Sequence, residues 1–210
     1  MRVLAFAASR RASSLNRRLI HLAAEIAGAK GADVDLAEFG EFEMPIYDGD
    51  VDHDSGLPRG ALELKRRVIA ADALIIATPE YNYSISGALK NAVDWVSRAR
   101  PMPWRGKSLY LLSASPSAMG GIRGLWQTRI PFEGCGALVF PDMFALPHAH
   151  EAFDENGRLK DHALAERLEK ELSGFVRLAE AYADVIAPPE RRSAINKALE
   201  EQTDIQPAAE

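Results

Sequence analysis

Ala73-Leu74-Ile75-Ile76-Ala77-Thr78-Pro79-Glu80-Tyr81-Asn82-Tyr83-Ser84-Ile85-Ser86-Gly87 is the stretch from which the fold is read. Its first five residues are all apolar, a run short enough for a strand and suited to burial on both faces of a parallel sheet. Pro79 then stops the ladder, because proline has no N–H to give to a neighbouring strand. Beyond it Ile85, Ala88, Leu89, Ala92, Val93 and Val96 recur at helical spacing, with Ser84 as the expected N-cap and Pro101 and Pro103 as the stop. The unit is strand, loop, helix.

Working outward, the same unit recurs on both sides. Val3–Ala8 is a short apolar run, followed after a break by a helix whose inner positions are Leu15, Leu19, Leu22, Ala23 and Ile26 and which ends near Gly28 and Gly31. Val34, Leu36 and Phe39 mark a second strand. Residues 40–58 are rich in Asp, Gly and Pro and read as a long loop, and Leu62, Lys65, Val68 and Ile69 follow as a helix. Lys107–Ser113 is a fourth strand, and a helix with Leu125, Trp126 and Ile130 is limited by Pro131. Ala137–Leu146 is a fifth strand interrupted by Pro141. A turn at Asp154-Glu155-Asn156-Gly157 leads to a last helix capped by Asp161, with Leu164, Leu168, Leu172, Phe175, Leu178, Ala179 and Tyr182 inward. Five alternations of strand and helix predict an α/β fold, a doubly wound parallel sheet with helices on both faces. Residues 1–187 form that domain; Pro188 begins a mobile tail over 188–210 with few large apolar residues.

The composition removes several function classes. The 210 residues carry 25 basic and 30 acidic side chains, a net charge of −5, which argues against a general nucleic-acid binder. No apolar run reaches the roughly 20 residues of a membrane helix, so no membrane partner is expected. Cys135 is the single cysteine, which excludes an intrachain disulfide, a CxxC redox pair and a cysteine metal cluster and fits a reducing cytoplasm. Any redox chemistry must then come from a cofactor. Asp48, Asp50, Asp52 and Asp54 imitate a calcium loop, but His53 and Arg59 stand where Gly and Glu are needed. His148 and His150 have no matching ligand pair. No metal is expected.

In a doubly wound sheet ligands sit beyond the carboxyl ends of the strands, where loops 9–16, 78–84 and 113–121 lie. In the first, Ser9, Ser13, Ser14 and Asn16 supply donors and Arg10 or Arg11 a charge, at a helix N-terminus that suits an anion such as a phosphate monoester. An ordinary capped helix with solvated arginines reads equally well from that loop alone. In the second, backbone N–H groups and Tyr81 and Tyr83 suit the edge and face of a flat heterocycle; two tyrosines plugging a neighbouring helix is the plainer reading. The small residues of the third loop permit close backbone approach and say little more.

The run Pro79-Glu80-Tyr81-Asn82-Tyr83-Ser84-Ile85-Ser86-Gly87-Ala88-Leu89-Lys90-Asn91-Ala92-Val93-Asp94-Trp95 resembles the signature of the NAD(P)H-dependent FMN reductases. The resemblance extends from residue 2 to about 186. It takes in a Ser-x-Arg-x-x-Ser-x-Asn loop at Ser9, Arg11, Ser14 and Asn16, a Gly-Gly pair at Gly120 and Gly121, and the segment Ala152–Leu159. It departs from the family at Ala8, where Gly is usual, at Ser86 for a common Pro, and at Ser117 for a frequent Gly. The resemblance implies a flavodoxin-like five-stranded sheet of order 2-1-3-4-5, bound FMN, NADPH or NADH as electron donor, and a homodimer or dimer of dimers. It implies that Ser9, Arg11, Ser14, Leu15 and Asn16 hold the phosphate. Pro79, Glu80, Tyr81 and Asn82 would border the isoalloxazine, with Ser115, Gly120 and Gly121 on its other side. The acceptor would be a small molecule: a quinone, an azo compound, a metal oxyanion or free flavin. The flavin would carry the chemistry, so no catalytic side chain is assigned. A non-enzymatic FMN-binding electron carrier or redox-responsive interaction module is the other function open at this point.

Overall fold

The computed structural model describes residues 1–186; the expected tail at 188–210 lies outside them. The chain runs β1 (Arg2–Ala7), α1 (Leu15–Ala29), β2 (Asp33–Ala37), α2 (Gly49–Ser55), α3 (Arg59–Ala70), β3 (Ala73–Ala77), β4 (Glu80–Tyr81), β5 (Ser84–Ile85) and α4 (Gly87–Val96). It continues with β6 (Ser108–Ala114), α5 (Ile122–Gly134), β7 (Leu138–Val139), β8 (Phe144–Leu146) and α6 (His162–Ile186). The main sheet is parallel, in the order β2-β1-β3-β6-β7, with β8 also on β6. This is the expected flavodoxin-like order, with β6 as the fourth strand. The expected fifth strand is split: β7 pairs with the start of β6 and β8 with its end, and Pro141, lacking an N–H, stands between them.

Period-two alternation in the central strands builds two core layers. Val3, Ala5 and Ala7 of β1, Ala73, Ile75 and Ala77 of β3, and Tyr110 and Leu112 of β6 face α1 and α6. Leu4, Phe6, Leu74, Ile76, Leu109 and Leu111 face α3, α4 and α5. The alanines on the first face meet Ala23 and Ala27 of α1, so that helix lies close over the β1–β3 junction. Its N-terminus is thereby placed at the point where the strand order reverses.

Several boundaries differ from the sequence reading. Ser86, not Ser84, caps α4, accepting from the Leu89 N–H at 3.3 Å; Ser84 and Ile85 belong to a hairpin instead. Phe39 leaves β2 for a 3₁₀ turn over Phe39–Phe42 and buries its ring against Phe6. The expected loop at 40–58 contains α2, whose N-cap Asp48 accepts from the Asp50 N–H at 2.9 Å. That segment is pinned to α4, because Asn91 Nδ2 and Trp95 Nε1 both donate to the Pro45 carbonyl at 2.8 Å. Pro131 lies inside the last turn of α5 rather than ending it. On α6, Leu178 is 38% exposed, and Val176 and Ala183 are buried in its place. Asp161 does cap α6, its Oδ1 accepting from the N–H groups of Ala163 and Leu164.

Arg67, half-buried on α3, reaches Glu63, Asp35 of β2 and Glu41 of the 3₁₀ turn, clamping three elements together. The hydrogen bond from Arg66, opposed by some desolvation and joined by that from Arg67, draws the Glu63 carboxyl down to about 2. A carboxyl lowered on folding stabilises above its ordinary pKa and loses that contribution as pH falls toward the folded value. Glu63 is partly exposed, so Glu63→Gln is expected to lower stability by about 1 kcal/mol at pH 7. The difference from the unaltered chain should shrink steadily between pH 4.5 and 2, read from urea midpoints across that range.

Candidate functional site

The chain leaves β1 with the Ala8 N–H bonded to the Ala77 carbonyl at 2.8 Å, so loop 9–16 starts at the β1–β3 junction. Ser14 caps α1, its Oγ accepting from the Arg17 N–H at 3.4 Å. The Leu15 and Asn16 amides open the helix and have no intrahelical acceptor. The first turn carries no acidic residue that would compete for the positive dipole end. Arg10 is neutralised by Glu43 and Arg17 by Glu38, each at 2.8 Å. Arg11 is exposed and has no carboxylate partner among the described residues. The half-buried Ser9 and exposed Ser13 hydroxyls likewise face no protein acceptor. The donor set is one free guanidinium, two free hydroxyls and two helix-end amides: a cup for a multiply charged oxyanion.

Asn16 behaves differently from the reading in which its amide simply joins that cup. It is 4% exposed, with Nδ2 donating to the Ala114 carbonyl at 3.1 Å and Oδ1 accepting from the Ala114 N–H at 2.9 Å. The side chain thus pairs with a backbone edge as a strand residue would, and fixes loop 9–16 to the end of β6.

The second loop is a β-hairpin. Glu80 pairs with Ile85 and Tyr81 with Ser84, and the two-residue turn Asn82-Tyr83 has φ of 49° and 64°. Positive φ at both turn positions gives the type I′ geometry that matches strand twist, but a tyrosine there is strained. Tyr83 is held by Arg123, whose Cζ lies 4.3 Å from the ring centroid. Arg123 is in turn bonded to Glu80 Oε1, and Glu80 Oε2 accepts from the Gly124 N–H at 3.0 Å. The Glu80 carboxylate is therefore committed to the start of α5, and what the hairpin presents outward is its backbone and Tyr81, which is 53% exposed. Pro79 is half-buried at the strand end and Asn82 exposed at the tip. Glu80→Ala should cost about 2 kcal/mol of stability, since a charged acceptor of two donors is removed, and Glu80→Gln should recover part of it; guanidinium unfolding reads both.

The third loop closes the set. Ser115 Oγ accepts from the Ser117 N–H at 3.2 Å, and the Ser115 N–H reaches the Leu146 carbonyl at 3.1 Å. Gly120 and Gly121 have φ of 62° and 89° and are both buried. A Cβ at Gly120 would stand 2.9 Å from the Ala145 and Leu146 backbone, and one at Gly121 would stand 2.1 Å from Ser113 Oγ. A Cβ at Gly124 would meet Glu80 at 2.9 Å, so this glycine admits the hairpin onto α5. Gly124, Arg123 and Ser113 escaped the sequence reading. A third glycine three residues beyond Gly121, at the helix start, was the one signal for them.

The three loops converge at the carboxyl edge of β1, β3 and β6. A phosphate cup at one end and a backbone-lined hairpin at the other fit a flavin mononucleotide by the chemistry of their donors. The half-buried Cys135 thiol is pushed up by burial, which favours the inert protonated form. Among the described residues no group of three or more His, Cys, Asp or Glu side chains gathers to hold a metal. None of the described helices is long and apolar enough to cross a membrane.

Known proteins resemble this chain in sequence and fold. The family model for NADPH-dependent FMN reductase matches residues 1–151. The chain is 35% identical over 182 residues to an NAD(P)H-dependent FMN reductase of Pseudomonas aeruginosa, covering 83% of this chain and 93% of that one. It is 32% identical over 135 residues to a quinone reductase of Escherichia coli, covering 63% and 72% of the two chains. Among solved structures, a flavoenzyme NAD(P)H:(acceptor) oxidoreductase from Paracoccus denitrificans superposes with a TM-score of 0.73 at 26% identity, covering 86% of this chain and 98% of its own. With its strand order, its three loops and these matches, the chain belongs to the NADPH-dependent FMN reductase family.

Proposed function

We propose that the protein holds FMN across the three loops and uses NADPH or NADH to reduce a small-molecule acceptor: a quinone, an azo compound, a metal oxyanion or free flavin. The observation that carries this is the convergence of an unpartnered oxyanion cup with a rigid hairpin at the β1–β3 switch point. Ser9, Arg11, Ser14 and the amides of Leu15 and Asn16 take the phosphate, with Asn16 also locking the loop to β6. Pro79, Glu80, Tyr81 and Asn82 border the ring system on one side and Ser115, Gly120 and Gly121 on the other. FMN bound there supplies hydride acceptance from the nicotinamide and electron delivery to the acceptor.

The protein's part is position and electrostatics, and no side chain need act as nucleophile or general base. The Glu80–Arg123–Tyr83 chain of contacts keeps the hairpin in one arrangement. The assembly we propose is a homodimer or dimer of dimers. Tyr81 and Tyr83 of the hairpin and Trp126 and Ile130, one turn apart on α5, are 53, 66, 54 and 63% exposed, large side chains that a partner subunit would cover. A cytoplasmic setting suits a chain whose one thiol forms no disulfide within it.

The test is a steady-state assay of FMN-loaded protein with NADPH and with NADH, against a benzoquinone, ferricyanide, an azo dye, chromate and free FMN. Turnover well above that of the same concentration of free FMN with at least one acceptor is expected. Rates equal to free FMN with every acceptor would leave an electron carrier or interaction module and overturn the enzymatic reading.

A further inference from the structure

A second group of basic side chains gathers at the opposite end of the sheet. A cavity of about 650 Å³ opens at the amino edge of β6 and β7, between α3, the segment following α4, and the end of α6. Lys65, Arg100, Arg105 and Lys107 line it, and no acidic side chain does among the described residues. Its walls are apolar, with Ile69, Met102 and Ile186 prominent.

This is unusual in a chain of net charge −5. Several other arginines meet carboxylates: Arg10 with Glu43, Arg17 with Glu38, Arg123 with Glu80, Arg158 with Glu25, Arg167 with Glu171. Lys65, Arg100 and Arg105 have no such partner among the described residues. The cations are also held in place. Arg100 Nη1 donates to the Ser97 and Ala99 carbonyls at 2.9 and 3.0 Å, past the end of α4, which fixes this guanidinium where it lines the cavity. Arg105 lies across Gly136, with Cγ and Cζ 3.3 and 3.4 Å from where a Cβ would stand. Lys107 Nζ is fixed by the Ile69 carbonyl at 3.2 Å and by that of Ala71.

Like charges converging on low-dielectric walls raise the local potential and concentrate counter-ions. A planar guanidinium fork prefers carboxylate or phosphate oxygens, and a cleft of this volume with apolar walls takes a ring or short chain. We propose that this cavity, remote from the three flavin loops, is a binding site for a small organic anion: a carboxylate, sulfonate or phosphate head on an apolar body. The head would lie between Lys65, Arg100 and Arg105 and the body against Ile69, Met102 and Ile186.

The test uses the full-length, FMN-loaded protein and 2-naphthoate as probe, by calorimetry and by amide chemical shifts. Saturable 1:1 binding is expected, at least tenfold tighter than that of neutral 2-naphthalenemethanol. Lys65→Glu with Arg105→Glu should weaken it at least thirtyfold while FMN content and quinone reduction stay unchanged, and Arg105→Gln alone should weaken it several-fold. Without any substitution, the shifts should centre on Ile69, Met102, Gly106 and Gly136. Absence of saturable binding, unchanged affinity in the double variant, or shifts confined to residues 9–16 and 80–85 would overturn the proposal. Because the flavin loops are read separately, a failed reductase assay would not be mistaken for a failed anion site.

Discussion

Gly121→Ala is expected to lower the unfolding free energy by about 3 kcal/mol and to strip FMN from the protein. Two costs add. The residue has φ of 89°, where an L side chain clashes with its own backbone at roughly 1–2 kcal/mol. The new Cβ would also stand 2.1 Å from Ser113 Oγ and 2.9 Å from Ser113 Cβ, in a strand that cannot withdraw because β6 is hydrogen-bonded on both sides. Overpacking of this kind costs roughly 1–3 kcal/mol. Whatever relief the structure finds must move loop 113–121, which carries the proposed Ser115, Gly120 and Gly121 contacts, or the start of α5 directly after it. Ser113 Oγ is buried without a hydrogen-bond partner, so Ser113→Ala alone should be neutral to slightly stabilising. Combined with Gly121→Ala it should recover part of the loss but leave the backbone strain. Denaturant midpoints and the flavin absorbance of the purified proteins check both statements.

Arg11→Ala with Ser14→Ala should weaken FMN about a thousandfold while the fold survives. On the proposed assignment Arg11 and the Ser14 hydroxyl, which accepts from the Arg17 N–H and still has its own proton to give, each donate to a dianion; charge-assisted bonds of this kind are worth about 1.5–3 kcal/mol apiece, so the pair would remove about 4 kcal/mol of binding. The structural cost is small by comparison. Arg11 is exposed and partnerless among the described residues, and losing the Ser14 cap costs α1 about 1 kcal/mol. Fluorescence titration of apoprotein with FMN measures the first effect and circular dichroism the second. Undiminished affinity in the double variant would mean that the phosphate sits elsewhere.

The parts of this molecule that were legible in the sequence are those governed by periodicity and by burial. Ala73–Ala77 and Val3–Ala7 are apolar at every position because both faces of the sheet are covered, and their runs gave the strands almost to the residue. What was missed is set by tertiary contact. Nothing local distinguishes Ser84 from Ser86 as a cap; the choice falls to Ser86 because residues 80–85 fold back as a hairpin onto α5, which Gly124 permits. The turn itself was hidden because Asn82-Tyr83 adopts a backbone that Asn-Gly would have announced. Asn16 carries a similar lesson. Its residue type suits either a phosphate or a peptide edge, and only the position of Ala114, 98 residues away, decides that it binds the peptide. Residues 40–58 read as loop because the aromatic rings there serve neighbouring elements, Phe42 packing on Phe6 and Phe39 and Tyr47 on Trp95 of α4, while α2 itself buries no residue.

The central claim is that loop 9–16 is a phosphate cup serving a flavin laid across loops 78–84 and 113–121. Titrating the apoprotein in parallel with FMN and with riboflavin, which differ only in the phosphate, tests it most directly. The account predicts one FMN per chain, bound at least a hundredfold more tightly than riboflavin, with that preference collapsing in the Arg11→Ala, Ser14→Ala variant. Equal affinity for the two ligands, or no saturable binding of FMN, would contradict it.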